Sequence, residues 1–233
     1  MKKEKKNPDA GFMNQRRQLL SDISSFSARE AYRTLRTNIR FSLRGEGCKT
    51  FCITSSAQGE GKSITMLNLA ISFAEAGQKV LLIDADLRRP AISRLLVEKA
   101  TPGLSNVLAG IVTEEEAIRP SQYEGMDILF SGDIPPNPAE LLGSERMAQL
   151  IEKLSKRYDY ILVDTPPVNI VSDTCVIANM LDGVLLLARQ DKSRKDNIKR
   201  AVDRLKLTGA NLLGCVFNGV PRESKTTYGY YNE

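Results

Sequence analysis

Three short stretches hold the residue types from which phosphate chemistry is built. The first is SSAQGEGKSITMLNLA (residues 55–70), in which Gly59, Glu60, Gly61, Lys62 and Ser63 close a glycine-rich turn and Ile64 begins a helical run. Glycines let a backbone wrap phosphate oxygens, and the free N–H groups at a helix start point at anions. A lysine there reaches β- and γ-phosphates, and a hydroxyl beside it can ligate Mg²⁺. Gly59 to Ile64 are therefore the expected nucleotide-binding residues, in a P-loop whose customary first glycine is Ser56. The second stretch, VLLIDADLRRP (80–90), is an apolar strand ending in Asp84 and Asp86. Two carboxylates beside a phosphate site are costly unless a cation joins them. The third, YDYILVDTPPV (158–168), ends another apolar strand in Asp164, a carboxylate placed to hold the metal. The expected metal set is Ser63, Asp86 and Asp164, and the expected cofactors are ATP and Mg²⁺.

The rest of the composition narrows the chemistry. The chain of 233 residues contains no histidine, which removes imidazole bases and His-ligated metals. Its four cysteines form no C-x-x-C pair, and Cys52 and Cys215 are expected to pack inside strands. Residues 1–50 carry 12 Lys/Arg against 5 Asp/Glu, so the net charge of +5 is an N-terminal feature. Such a segment suits an acidic membrane surface or partner, or is a solvated tail. Neither a signal peptide nor an apolar run long enough to span a membrane is present, so a cytoplasmic location is expected.

The elements that must position these residues alternate. Apolar runs at 49–54, 79–84, 126–130, 159–164, 183–188 and 211–217 read as strands, several buried on both faces. Helices fit at 62–76, 91–98, 138–156, 172–180 and 193–207, the third opening on Asn137, Pro138 and Glu140. This βαβ order implies a doubly wound α/β fold with a mostly parallel sheet, helices on both faces, and ligands at the carboxyl ends of the strands. Ahead of it, Ser27 and Glu30 fit a capping box for a helix. Its Tyr32, Leu35, Ile39 and Leu43 share one face, beside a row of Arg29, Arg33, Arg36 and Arg40. Three parts are expected: a flexible basic segment (1–26), one P-loop domain (27–220) and a tail (221–233) carrying Tyr228, Tyr230 and Tyr231.

Taken together, GEGKS, the strand ending D-x-D-x-R and the turn D-T-P-P resemble the Walker A, A′ and B motifs of bacterial tyrosine kinases. Glu30-Ala-Tyr-Arg33-Thr-Leu-Arg36 is similar to that family's E-x-x-R-x-x-R element, and SGDIPPNPAELL (131–142) to another stretch of its members. The likeness spans residues 27–233 and is closest in form to the stand-alone Gram-positive type of capsular and exopolysaccharide synthesis. It implies a membrane-anchored activator of polysaccharide export, recruitment to the inner face of the membrane, a ring-forming homo-oligomer joined through Glu30, Arg33 and Arg36, and a cognate tyrosine phosphatase. No nucleic-acid partner is expected. It also implies autophosphorylation at Tyr228, Tyr230 and Tyr231, and an adenine contact from Asn218 by analogy with related ATPases.

Tyrosine has a pKa of about 10, so transfer to its hydroxyl needs a carboxylate to accept the proton. Asp84 is the first choice, with the division of labour between Asp84 and Asp86 left open. Lys62 and Arg88 would counter phosphate charge. The competing reading is a positioning ATPase of the MinD/ParA type, which shares the fold and the D-x-D motif. Those proteins carry a lysine five residues before the P-loop lysine, where this chain has Ala57.

Overall fold

A computed structural model describes residues 16, 18–21 and 24–220. Seven strands form one sheet in the order β3-β4-β2-β5-β1-β6-β7. They are β1 (Lys49–Ser55), β2 (Val80–Asp84), β3 (Ile118–Pro120), β4 (Met126–Leu129), β5 (Tyr160–Asp164), β6 (Gly183–Arg189) and β7 (Leu212–Asn218). All neighbours run parallel except β3, which pairs antiparallel with β4 at one edge. The expected strands are thus present, and the fold class is that of a doubly wound P-loop protein.

The continuous apolar runs have a direct cause. In β2, Leu81 and Ile83 enter one core layer while Val80 and Leu82 enter the other, and β5 divides Ile161 and Val163 from Tyr160 and Leu162 in the same way. Both faces are covered, so no position can be polar until the strand reaches its carboxyl end. Each fully buried Leu or Ile contributes about 1.5–3 kcal/mol relative to exposure.

One face is covered by α1 (Phe26–Ser42), α2 (Lys62–Ala74) and α3 (Ile92–Leu96). The other carries α4 (Leu104–Leu108), α5 (Glu114–Ala117), α6 (Pro138–Leu142), α7 (Glu145–Leu154), α8 (Asp173–Ala178) and α9 (Lys195–Leu207). The stripe on α1 packs as expected: Ile39 and Leu43 are buried, and Tyr32 and Leu35 lie against them.

Several expectations need correction. The N-cap of α1 is Ser25, which accepts a hydrogen bond from the Ala28 N–H at 3.3 Å, so the helix begins two residues before the Ser27 box. Glu30 then lies inside the helix and pairs with Arg33 instead. The helix expected over 138–156 is two helices, because Gly143 ends the first and Ser144 caps the break by donating to the Leu141 carbonyl. Cys52 is buried, but Cys215 is exposed, since β7 is an edge strand. The short α4, α5 and β3 have no counterpart among the expected elements.

Candidate active site: a P-loop beside three aspartates

The P-loop leaves the end of β1 and turns back into α2. Gly59 and Gly61 have φ of 71° and 103°, a left-handed conformation that a Cβ would strain. Gly61 is the N-cap of α2 and offers no side chain, so the first-turn N–H groups remain free for an anion. The position of the customary first glycine is explained as well. Ser56 donates through both its N–H and its hydroxyl to the Glu60 carboxylate, each at 3.0 Å. Asn218 reaches the same loop, its side-chain amide donating to the Glu60 carbonyl at 3.0 Å.

Strand register brings the acids together. Asp84 and Asp164 are direct neighbours on β2 and β5, and Asp164 is also paired with Ile53 of β1 just before the P-loop. Asp84 and Asp164 are wholly buried, and Asp86 nearly so. Asp84 accepts from the backbone N–H of Ile92 at 3.1 Å and of Asp86 at 3.3 Å. Burial, then the neighbouring Asp164, holds its pKa well above the ordinary carboxylate range. Asp86 accepts from the Arg89 N–H at 3.0 Å; burial raises its pKa and the Lys62 ammonium opposes the rise.

Asp164 differs from both. Neither of its oxygens meets a donor at full hydrogen-bonding geometry. Burial pushes its pKa up to about 7, against the pull of the Lys62 ammonium and the Ser63 hydroxyl. Two orphaned carboxylate oxygens beside a lysine and a serine are an unmet demand for positive charge. The residues therefore fit Mg²⁺. Among the described residues no three Asp, Glu, Cys or His side chains form a ready-made cage. Mg²⁺ suits such a site, because it takes one or two carboxylates and completes its shell with phosphate and water.

A recess of about 200 Å³ opens over this floor, lined by Gly59, Gly61, Lys62, Ser63, Ile64 and Asp86, with Arg89 and Arg94 at its side. Asp84 and Asp164 lie beneath it and do not line it. Arg88 is placed elsewhere: its guanidinium grips the buried Asp173 at the start of α8 in two bonds of 2.8 and 3.0 Å. The arginines facing the recess are Arg89, which also donates to Gln58, and Arg94; neither is among the residues expected from the sequence. The only signal for Arg89 was its place in the Arg88-Arg89 pair.

The candidate interface residues lie on α1. Glu30 and Arg33 form an i,i+3 pair at 2.7 Å on the surface. Arg36 turns inward instead, donating to the carbonyl of Ser72 on α2 and to its hydroxyl at 3.0 Å. Tyr228, Tyr230 and Tyr231 lie outside the described residues.

A mostly parallel sheet with a P-loop at the end of an interior strand, and acids ending the two strands to one side of it, defines a nucleotide-binding protein of the P-loop class. A family model for an AAA domain matches residues 48–190. The chain is 42% identical over 202 residues to the tyrosine-protein kinase YwqD of Bacillus subtilis (strain 168), covering 87% of this chain and 85% of that one. Its structure is similar to the kinase domain of the Escherichia coli tyrosine kinase ETK, with a TM-score of 0.81, 37% identity, and coverage of 88% and 80% of the two chains. A more distant likeness is to the septum site-determining protein MinD of Pyrococcus horikoshii OT3, complexed with Mg-ADP. There the TM-score is 0.63, with 27% identity and coverage of 73% and 70%. The chain belongs to the bacterial tyrosine-protein kinase family and is a tyrosine kinase by that membership.

Proposed function

We propose that this kinase transfers the γ-phosphate of Mg-ATP to tyrosine hydroxyls, including its own Tyr228, Tyr230 and Tyr231 in a neighbouring subunit. The observation that carries this reading is the pair of orphaned Asp164 oxygens, buried between the P-loop lysine and serine on one side and Asp84 on the other.

Lys62 and the free N–H groups at the start of α2 bind the phosphates, and Asn218 contacts the adenine side. Ser63, Asp86 and Asp164 would hold Mg²⁺, which when bound neutralises charge on the phosphates. A carboxyl of the D-x-D turn accepts the tyrosine proton, Asp84 beneath the recess being the first choice and Asp86, which lines it, the alternative. The support for Asp84 is a carboxyl whose proton affinity is raised by burial and by Asp164, so it competes better for a phenolic proton than an ordinary aspartate. Arg89 and Arg94 flank the recess and counter the charge of the transferring group; Arg88 positions the turn through Asp173.

The wider setting belongs to the same proposal: a role in capsular or exopolysaccharide synthesis, a membrane-anchored activator, a ring of subunits joined through α1, and a cognate phosphatase. No described helix is long and apolar enough to cross a membrane; the proposed activator would supply attachment to the inner face. The test is to incubate the purified chain with Mg-ATP, with and without the activator's cytoplasmic segment, and to blot for phosphotyrosine. Signal in the parent, stronger with the segment and absent in Lys62→Met, is expected. A Lys62→Met chain that still labels itself would overturn the site.

A further inference from the structure

We infer that the loop between β6 and α9 clamps the P-loop in its phosphate-binding curvature through the buried carboxylate of Glu60, with Ser193 as the positioning residue. The inference rests on the nucleotide-binding reading of the P-loop and assigns a role to residues outside it.

Glu60 is fully buried. One of its oxygens accepts from the Ser56 N–H at 3.0 Å and from the Ala57 N–H at 3.2 Å. The other accepts from the Ser56 hydroxyl at 3.0 Å and from the Ser193 hydroxyl in a short bond. A buried carboxylate is expensive unless donors surround it, and here four do so. Three of the four belong to the P-loop and close a ring from residue 56 to residue 60. Ser193 is the fourth and ties that ring to the rest of the protein.

The Ser193 hydroxyl has one proton to give. Its oxygen accepts the Arg189 N–H at 2.7 Å, which leaves that proton for Glu60. The same segment and the end of β7 also hold the P-loop's outward carbonyls. The Lys192 ammonium donates to the Gly59 carbonyl at 2.9 Å, and the Arg189 guanidinium approaches the same oxygen at 3.4 Å. Asn218 takes the Glu60 carbonyl and is itself fixed by the Gln190 N–H at 2.9 Å.

In a trans peptide the C=O and the following N–H point in opposite directions. Holding the Gly59 carbonyl toward the β6–α9 loop and the Glu60 carbonyl toward Asn218 at the end of β7 therefore turns the N–H groups of Glu60 and Gly61 the other way, toward the recess. The clamp aims two phosphate donors, and it does so from residues more than a hundred positions away in the chain.

The test measures Mg-ADP binding by calorimetry and turnover at saturating Mg-ATP, using the full chain. Ser193→Ala should raise the Kd about tenfold, the size of one hydrogen bond to a charged group, while saturated turnover stays within about twofold. Ser193→Thr keeps the hydroxyl and should restore most of the affinity. Ser193→Ala added to Glu60→Ala should cost little beyond Glu60→Ala alone, because without the carboxylate Ser193 has no P-loop acceptor left to hold. Parent binding with unchanged affinity in Ser193→Ala, or full additivity in the double variant, overturns the clamp alone. A parent chain that fails to bind Mg-ADP overturns the nucleotide reading and the clamp with it.

Discussion

Asp84 and Asp164 end adjacent parallel strands in direct register, and both carboxyl groups are fully buried. Each burial penalises the ionised form, and the charge of Asp164 adds to the cost at Asp84. The pair is a local instability that the fold retains at the centre of its site.

That instability depends on pH with a definite sign. The folded-state pKa of Asp164 is about 7, above the value of the unfolded chain, so the folded protein binds more protons between the two. Stability falls as pH rises through that window and is greatest below it. The nucleotide-free protein should therefore lose on the order of a few kcal/mol from this pair between about pH 5 and pH 8. Asp164→Asn should flatten that dependence and raise the melting temperature at pH 8 by several degrees. Denaturant titrations of both proteins at the two pH values decide it; an unchanged difference would place the pH dependence elsewhere.

The two acids of the D-x-D turn should separate kinetically. Asp84→Asn should reduce kcat by roughly 10²–10⁴ while nucleotide affinity changes little, as expected on losing a proton acceptor. Asp86→Asn should instead raise the Mg²⁺ concentration needed for half-maximal activity. Asp86 lines the recess and Asp84 lies beneath it, so the opposite outcome, a Mg²⁺ effect from Asp84 and a pure kcat loss from Asp86, would exchange their roles.

Much of this arrangement is legible in the sequence because burial on both faces forces it. VLLID and YILVD are unbroken apolar runs whose first permitted acid is the one at the strand end, next to the ligand. Long-range partners are what the sequence conceals. Arg88 and Arg89 are adjacent and chemically alike, and only Asp173, 85 positions away, decides which turns aside. Ser193 meets Glu60 across 133 positions, with no periodicity to announce it. The four-residue α5 has a complete capping box in Thr113 and Glu116, but a single turn of helix carries too little hydrophobic periodicity to mark it in the sequence.

The proposed interface residues on α1 should not behave alike. Arg33 pairs with Glu30 on the surface, whereas Arg36 bonds Ser72 within its own chain. Arg33→Ala should shift a ring-like assembly toward monomer without lowering the melting temperature. Arg36→Ala should also destabilise the subunit, by about 1 kcal/mol. Light scattering and thermal melts together separate the effects. An unchanged mass for Arg33→Ala would leave Arg33 as a solvated residue.

Tyr228, Tyr230 and Tyr231 should be phosphorylated in trans, and their phosphorylation should loosen the assembly. The geometry makes direction a real question, because β7 ends at Asn218, whose amide touches the chain's own P-loop. Tyr228 lies ten positions beyond Asn218, and a chain of that length spans at most roughly 35 Å, so sequence separation alone does not choose between the chain's own recess and a neighbour's. In the proposed ring, transfer in trans would follow, because a tail docked in the next subunit would help hold the two together. Each added phosphate brings about −1.5 to −2 charges, which would face Asp84, Asp86 and Asp164. Repulsion from those acids should expel the modified tail and weaken the contact. Changing all three tyrosines to Phe should remove most autophosphorylation and leave nucleotide binding intact. A Lys62→Met chain mixed with an active chain lacking residues 221–233 fixes the direction. Phosphate on the inactive chain's tail establishes transfer in trans; its absence, with normal self-labelling of the parent, would assign the tail to its own site.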